Sequence, residues 1–192
     1  MSRQEIRVSG FGGQGIIFLA YITGRAAAIH EGRHATLNQS FGPEARGSAC
    51  SAQLILSDDP VDYPYIRQPD ILIAMSQDAY AKYADELTGE GTLLVDEDLV
   101  HPRRDQGRAV HGVPATRIAE GLGRRICANM VMCGFLSAVT GVMAREAARE
   151  AIRLSVPPGS EELNLRAFDE GYAHGTKTGG GATGGAKTSA RA

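Results

Sequence analysis

The chain has 192 residues, of which 43% are hydrophobic and 22% are charged, and this size suits one domain with a proper core better than two. A formal net charge of −2 and a sequence pI near 6.2 provide no general electrostatic attraction to nucleic acid. The basic pairs at 103–104 and 124–125 are small and lack interleaved aromatic residues, so nucleic-acid binding is disfavoured.

The N-terminal segment and the most apolar run both argue against membrane targeting. Residues 1–5 carry an acid and lack the regions of a signal peptide. The charge-free run at 129–143 contains Gly134 and Gly141 and is shorter than the roughly 20 residues that a membrane helix needs. We therefore expect a cytoplasmic protein without a membrane span, in which this run forms a buried core helix.

The order of predicted elements indicates an α/β fold. Predicted strands cover residues 6–8, 35–39, 49–56, 70–75, 92–95 and 109–113. Predicted helices cover residues 16–30, 77–87, 116–122, 129–140, 145–154 and 161–172, with Ser76 and Ser160 as N-caps. This alternation predicts an open, mostly parallel Rossmann-like sheet flanked by helices, with a helical C-terminal third.

The composition changes abruptly near residue 175. From there the chain is rich in glycine and threonine and has no apolar periodicity, which is typical of a segment that cannot bury itself. We predict one α/β domain over residues 1–174 and a flexible, disordered Gly/Thr-rich tail over 175–192.

A glycine-rich junction follows the first predicted strand. Gly10, Gly12 and Gly15 fit the pattern G-x-G-x-x-G, which turns a strand tightly into a helix and lets backbone approach a phosphate. A dinucleotide site also expects an acid at the end of the second strand, whereas the nearest acid, Glu31, precedes that strand. The loop therefore favours a phosphate without a dinucleotide, and a purely packing role for the glycines stays open.

A second candidate anion loop follows the second predicted strand. Ser40 stands at the strand end, Gly42 provides flexibility, and Arg46 carries a planar guanidinium suited to phosphate, although Glu44 could tether it. Two loops leaving the carboxyl ends of neighbouring parallel strands would converge in the crevice where open α/β sheets bind ligands. The sequence thus predicts a two-loop phosphate site.

Residues with chemistry of their own are scarce. The three cysteines, Cys50, Cys127 and Cys133, show no Cys-x-x-Cys spacing, and the five histidines are scattered, so neither a disulfide framework nor a metal site is predicted. No Ser-His-Asp set or activated cysteine motif is recognisable. The acids at 96–98 could hold Mg²⁺, but an exposed acidic turn is the favoured interpretation. We predict no catalytic residue in this chain.

Several segments together resemble the gamma subunit of 2-oxoacid:ferredoxin oxidoreductases, which is equivalent to one domain of the single-chain pyruvate:ferredoxin oxidoreductases. The resemblance extends over residues 5–172. It is carried by residues 10–15 (GFGGQG), 39–47 (QSFGPEARG), 57–58 (SD), 69–72 (PDIL), 74–77 (AMSQ), 91–96 (GTLLVD), 128–132 (ANMVM) and 161–165 (EELNL). The paired loops at 10–15 and 39–47, in this order, are the most specific part.

The resemblance implies an accessory subunit of a hetero-oligomeric enzyme that oxidatively decarboxylates a 2-oxoacid to its acyl-CoA. Thiamine diphosphate, Mg²⁺ and [4Fe-4S] clusters would lie on the partner alpha, beta and cluster-bearing subunits, and coenzyme A would be a co-substrate at an interface. Carried over by position, the residues that would contact its phosphates are Gly12, Gly13, Gln14, Gly15, Ser40, Gly42 and Arg46.

The sequence departs from the family pattern at two positions, and it leaves the substrate open. Phe41 stands where tyrosine is common, and Ser48 stands where a second glycine often follows Arg-Gly. Residues 74–83 and 128–132 look most like the 2-oxoglutarate branch. Other substrates stay open: an aryl-glyoxylate such as phenylglyoxylate, and also pyruvate, branched-chain 2-oxoacids and indolepyruvate. The alternatives from other classes are a free-standing dinucleotide-binding oxidoreductase and a purely structural adaptor subunit.

Overall fold

A computed structural model describes residues 3–41, 49–103 and 108–178. Within these ranges the chain forms one six-stranded sheet in the order β2-β3-β1-β4-β5-β6. The strands are β1 Gln4–Phe11, β2 His34–Phe41, β3 Ala49–Ser57, β4 Ile71–Ala74, β5 Thr92–Asp96 and β6 Ala109–Val113. The α-helices are α1 Ile16–Arg25, α2 Gln77–Tyr83, α3 Ala115–Gly121, α4 Ala128–Thr140, α5 Arg145–Arg153 and α6 Glu161–Thr178.

The strand directions confirm a mostly parallel sheet. β1, β4, β5 and β6 pair in parallel, whereas β3 is antiparallel to both of its neighbours, β1 and β2. The expectation that β1 and β2 are neighbours was therefore wrong, because β2 and β3 pair as an antiparallel hairpin and β3 takes the place beside β1. The carboxyl ends of β1 and β2 still lie at one edge of the sheet, since Phe11 pairs with Ala49 and Phe41 with Cys50.

The two faces of the sheet bury separate apolar clusters. Alternate residues such as Leu54 and Ile73 pack with α1 and α4 on one face, while Leu72 and Leu93 pack with Tyr80 and Tyr83 on the other. β4 is buried along its whole length, as expected of a central parallel strand. Ser76 caps α2 as predicted, because its Oγ accepts a hydrogen bond from Ala79 N at 3.2 Å.

The C-terminal helices carry the densest packing. The run predicted to be a buried core helix is confirmed as α4, which is buried from Ala128 to Ser137. α4 and α6 cross at a glycine of each helix, Gly134 and Gly171. An added Cβ on Gly134 would lie 1.9 Å from Phe168 O, and one on Gly171 would lie 1.8 Å from Val131 O. Only glycine permits this approach. No helix in the described part of the chain has the length and apolar character needed to cross a bilayer.

Two predicted element ends differ in the structure. The first helix passes into a π-helical turn, Ala26–His30, before Gly32 ends it at a φ of 70°. α6 continues to Thr178, past the predicted helix end at residue 172, and Gly175 is buried against Phe135 and Ala138. The domain boundary at residue 174 stays a prediction. The rest of the predicted tail, residues 179–192, lies outside the described residues.

Candidate ligand-binding crevice

The glycine loop between β1 and α1 is fastened to the end of β4 by one side chain. Gln14 Oε1 accepts a hydrogen bond from Phe11 N at 2.6 Å, and Gln14 Nε2 donates to Met75 O at 2.7 Å. Gly10 leaves room for this arrangement, because an added Cβ there would lie 2.5 Å from Gln14 Oε1. Gln14 was predicted to offer its amide to a phosphate, whereas the structure uses one of its two amide hydrogens to hold the loop.

Two helices begin beside this loop without neutralising side chains. Gly15, at a φ of 74°, is the N-cap of α1, and neither a side-chain cap nor an acid in the first turn is present there. α4 likewise starts after Cys127 without a side-chain cap or an acid. Asn129 Nδ2 lies 3.4 Å from Gly15 O and joins the two starts. Because helix N-termini carry partial positive charge, this corner favours an anion.

A crevice of about 200 Å³ opens at this corner. It lies at the carboxyl ends of β1 and β4, where the strand order reverses, which is the usual ligand site of open α/β sheets. Its lining residues are Gly13, Gln14, Met75, Thr116, Arg125, Ile126 and Ala128. Gly13 has a φ of 97°, and an added Cβ there would meet nothing within 4 Å, so its backbone faces open space.

The structure gathers only part of the predicted site. Gly13 and Gln14 line the crevice, and Gly12 and Gly15 flank them in the same loop. Ser40 is exposed on β2 and pairs with Ser51 of β3, which pairs with Ser9 of β1, so it stands two strand spacings, roughly 10 Å, from β1. Gly42 and Arg46 lie outside the described residues, and their role stays a prediction.

Sequence reasoning missed the wall of the crevice that comes from distant segments. Thr116 lies in the first turn of α3, and Arg125 and Ile126 precede α4 in a 3₁₀ turn, Arg125–Cys127. In the sequence, the pair Arg124-Arg125 indicates only a small basic patch. A usable signal was present for Met75, because it directly follows the central strand β4 and residues there reach the crevice.

Asp96 holds Thr116, one of the residues that line the crevice. The sequence predicted an exposed acidic turn at 96–98, and for Asp96 that prediction is wrong. The residue is fully buried, and Asp96 Oδ2 accepts hydrogen bonds from Thr116 N at 3.1 Å and Thr116 Oγ1 at 2.6 Å. Burial raises the pKa of Asp96, while the hydrogen bonds from Thr116 oppose that rise. Glu97 and Asp98 are exposed and pair with Arg117. Asp96 thus fixes the start of α3.

The described residues include no group of three or more His, Cys, Asp or Glu side chains placed to hold a metal ion. Burial raises the pKa of the thiols of Cys50 and Cys127, and it raises the pKa of Cys133 to about 12. These thiols therefore stay protonated near neutral pH, which makes them poor nucleophiles. The groups at the crevice can bind and orient a ligand.

Comparison with known proteins places this architecture in one enzyme family. The family model for pyruvate ferredoxin/flavodoxin oxidoreductase matches residues 5–174. The chain is 47% identical over 176 residues to 2-oxoglutarate synthase subunit KorC of Methanothermobacter marburgensis, covering 88% of this chain and 95% of that protein. KorC of Methanocaldococcus jannaschii is also 47% identical, over 173 residues and 92% of its length.

Solved structures agree with this placement. The gamma subunit of a keto/oxoacid ferredoxin oxidoreductase from Geobacter sulfurreducens superposes with a TM-score of 0.80 at 39% identity, covering 91% of this chain and 99% of that one. A 2-oxoglutarate:ferredoxin oxidoreductase from Magnetococcus marinus shares the fold at a TM-score of 0.84 and 22% identity, over 92% of this chain and 32% of that one.

The chain therefore belongs to the pyruvate ferredoxin/flavodoxin oxidoreductase family. Within that family it is of the gamma-subunit type of the 2-oxoacid:ferredoxin oxidoreductases, as the resemblance predicted.

Proposed function

We propose that this chain is the gamma subunit of a cytoplasmic, multisubunit 2-oxoglutarate:ferredoxin oxidoreductase that converts its 2-oxoacid to the acyl-CoA. The identities carry the substrate assignment: 47% to the KorC subunit of 2-oxoglutarate synthase from M. marburgensis, against 29% to pyruvate synthase subunit PorC of the same organism. Both relatives are matched over 95% of their length, so the two identities compare equivalent, nearly complete subunits.

The crevice is proposed to enclose part of coenzyme A. Its uncapped helix starts, the open backbone of Gly13 and the cation of Arg125 suit a phosphate or an amide of that ligand. A volume of about 200 Å³ is smaller than the roughly 300–1,000 Å³ of a complete ligand site, so a partner surface would complete the enclosure. The M. marinus enzyme with this fold was solved with coenzyme A bound.

The chemical steps are proposed to take place on the partner alpha, beta and cluster-bearing subunits, which would hold thiamine diphosphate, Mg²⁺ and [4Fe-4S] clusters. A [4Fe-4S] cluster is typically held by four cysteine thiolates, and this chain has three cysteines, all of them buried. This chain then contributes to substrate enclosure and to the stability of the complex. Tight NADH binding by the isolated chain would instead favour the dinucleotide-dependent alternative.

Substrate choice can be measured on the purified complex. With a viologen dye as electron acceptor and coenzyme A present, we expect kcat/KM for 2-oxoglutarate to exceed that for pyruvate, 2-oxoisovalerate and phenylglyoxylate at least about tenfold. A substrate site with polar groups that bind the second carboxylate of 2-oxoglutarate leaves those groups without a hydrogen-bond partner when one of the other 2-oxoacids is bound. Faster turnover of phenylglyoxylate than of 2-oxoglutarate would overturn the substrate assignment and leave the family unchanged.

The coenzyme A role can be tested at the mouth of the crevice. Ile126 is 52% exposed, so Ile126→Glu adds a charge there without opening the core. We expect the KM for coenzyme A to rise about tenfold, equivalent to about 1.4 kcal/mol, because the carboxylate repels phosphate and neutralises the helix starts.

Two further variants separate charge from shape. Ile126→Gln has a similar size without the charge and should raise this KM by a smaller factor. Val110→Glu places the same charge on a 39% exposed residue of β6, away from the crevice, and should leave the KM for coenzyme A within about twofold. An unchanged coenzyme A KM in Ile126→Glu, or an equal rise in the KM for the 2-oxoacid, counts against the role.

A further inference from the structure

A second concavity in the described part of the fold shares no lining residue with the crevice. It is a groove of about 380 Å³ between the helical segment 16–30 and the outer strands of the sheet, and it is lined mainly by apolar side chains. Ala20, Gly24 and Ala28 follow one another at spacings of four residues and form its helical wall. Leu37 and Leu54 form its strand wall. Small residues at this spacing lie on one helix face, so the groove is open because no long side chain fills it.

The rim of the groove carries unusually exposed apolar surface. Tyr21 is 42% exposed and Ile29 is 68% exposed, the highest fraction among the large hydrophobic residues described. Ile29 belongs to the π-helical turn Ala26–His30, and such turns occur often at functional sites. The Arg25 guanidinium donates to Tyr21 Oη at 3.0 Å. Tyrosine and arginine are the residues enriched at the energetic centres of protein interfaces.

The neighbouring strand adds an unprotected sheet edge. Among the described strands, β2 pairs only with β3, so every second residue directs its backbone N–H and C=O groups away from the sheet. Proteins protect such edges with lysine, proline or inward-pointing charge. β2 has the sequence HATLNQSF, which contains no lysine, proline, arginine or acidic residue. A groove rim and an unprotected edge side by side indicate a surface that another polypeptide covers.

We propose that this surface, formed by the groove and the free edge of β2, is where the catalytic partner subunit docks. The inference rests on the proposed assembly. Ketoisovalerate oxidoreductase subunit VorA of Methanothermobacter thermautotrophicus is 35% identical over 87% of this chain, but the match covers only 35% of VorA. In VorA the remaining two thirds is thus covalently joined to a unit like this one.

The same unit stands alone in the KorC relatives, whose length this chain matches almost completely. A unit that is fused in one relative and separate in another keeps a face that packs on the same neighbour. The occupant is therefore the polypeptide equivalent to the additional part of VorA, presenting apolar side chains to the groove and backbone groups to β2. An acidic side chain on that polypeptide would suit Arg25.

The test is co-purification of the affinity-tagged chain, expressed together with the other subunits of its complex. Ile29→Asp should reduce the amount of partner retained more than tenfold, because docking would bury an unpaired carboxylate. Leu154→Asp is the matched control, since Leu154 is 54% exposed, directly follows α5 and is not among the residues that line the groove. It should retain the partner at the wild-type level. Equal melting temperatures of the two isolated variants establish that neither change acts through unfolding.

The outcomes separate this inference from the proposed function. If the wild-type chain retains no partner, the proposed assembly fails. If the wild-type chain and Ile29→Asp retain it equally, only the docking surface is wrong. Light scattering of the isolated chain tests the other occupants: a dimer that Ile29→Asp dissociates assigns the groove to a second copy. Loss of retention on deleting residues 179–192, with Ile29→Asp unaffected, assigns partner binding to that segment instead.

Discussion

Gly171→Ala is expected to destabilise the protein by about 3 kcal/mol or more, the largest effect of any single methyl group that we consider. The added Cβ would lie 1.8 Å from Val131 O and 2.7 Å from Val131 C, both atoms of the α4 backbone. No rotamer change can relieve a clash with backbone, so α4 and α6 would have to separate. The separation would loosen the packing around Phe168, which is fully buried between them.

The measurement is the free energy of unfolding from urea or thermal denaturation of the isolated chain. Gly121→Ala is the matched control, because Gly121 is the last residue of α3 and an added Cβ there meets nothing within 4 Å. Alanine has the higher helix propensity, so this control should be neutral or stabilising by up to about 1 kcal/mol. A Gly171→Ala protein as stable as the control would mean that α4 and α6 are farther apart than described.

Gly15→Ala is expected to have the second-largest effect, and it acts at the crevice. Gly15 has a φ of 74°, where a side chain costs about 1–2 kcal/mol. Its added Cβ would also lie 2.2 Å from Asn129 Nδ2 and 2.8 Å from Asn129 Cγ. The clash would displace the buried Asn129 side chain, which joins the starts of α1 and α4. We therefore expect a loss of about 3 kcal/mol in stability and a higher KM for coenzyme A in the complex.

A double-mutant cycle with Asn129→Ala separates the two causes. Removing the Asn129 amide group relieves the clash and leaves the backbone strain, so the double variant should be more stable than the sum of the single changes predicts. A favourable coupling of about 1 kcal/mol or more is expected. Strict additivity would show that the loss in Gly15→Ala comes from backbone strain alone, and that Asn129 does not set the spacing of the two helices.

Local sequence signals predicted the elements well. Ala109–Val113 is a strand with the predicted bounds, and the continuous apolar run after Pro69 is the buried strand Ile71–Ala74. The N-cap at Ser76 was predicted from the polar residue between a strand and a helix, and its hydrogen bond confirms it. Such features depend on side chains within a few residues of one another, so they can be predicted from the sequence of this chain alone.

Non-local pairing was not predictable in the same way. Nothing within β2 or β3 indicates that β3 would insert antiparallel between β1 and β2, because register and neighbour choice depend on the whole sheet. The buried state of Asp96 depends on Thr116, twenty positions later, whose N–H and hydroxyl both donate to it. Acids in a short run normally indicate an exposed turn, and no local signal distinguishes this exception.

The sequence by itself determined the family, the α/β class and the glycine loop, since these are carried by contiguous motifs and by the spacing of apolar residues. The tertiary structure alone decided which residues share the crevice. It brought Arg125 and Ile126 to Gly13, engaged the Gln14 amide with Met75, and set Ser40 two strands away. The physical reason is that ligand sites form where the ends of distant elements meet, and packing of the whole chain determines which ends those are.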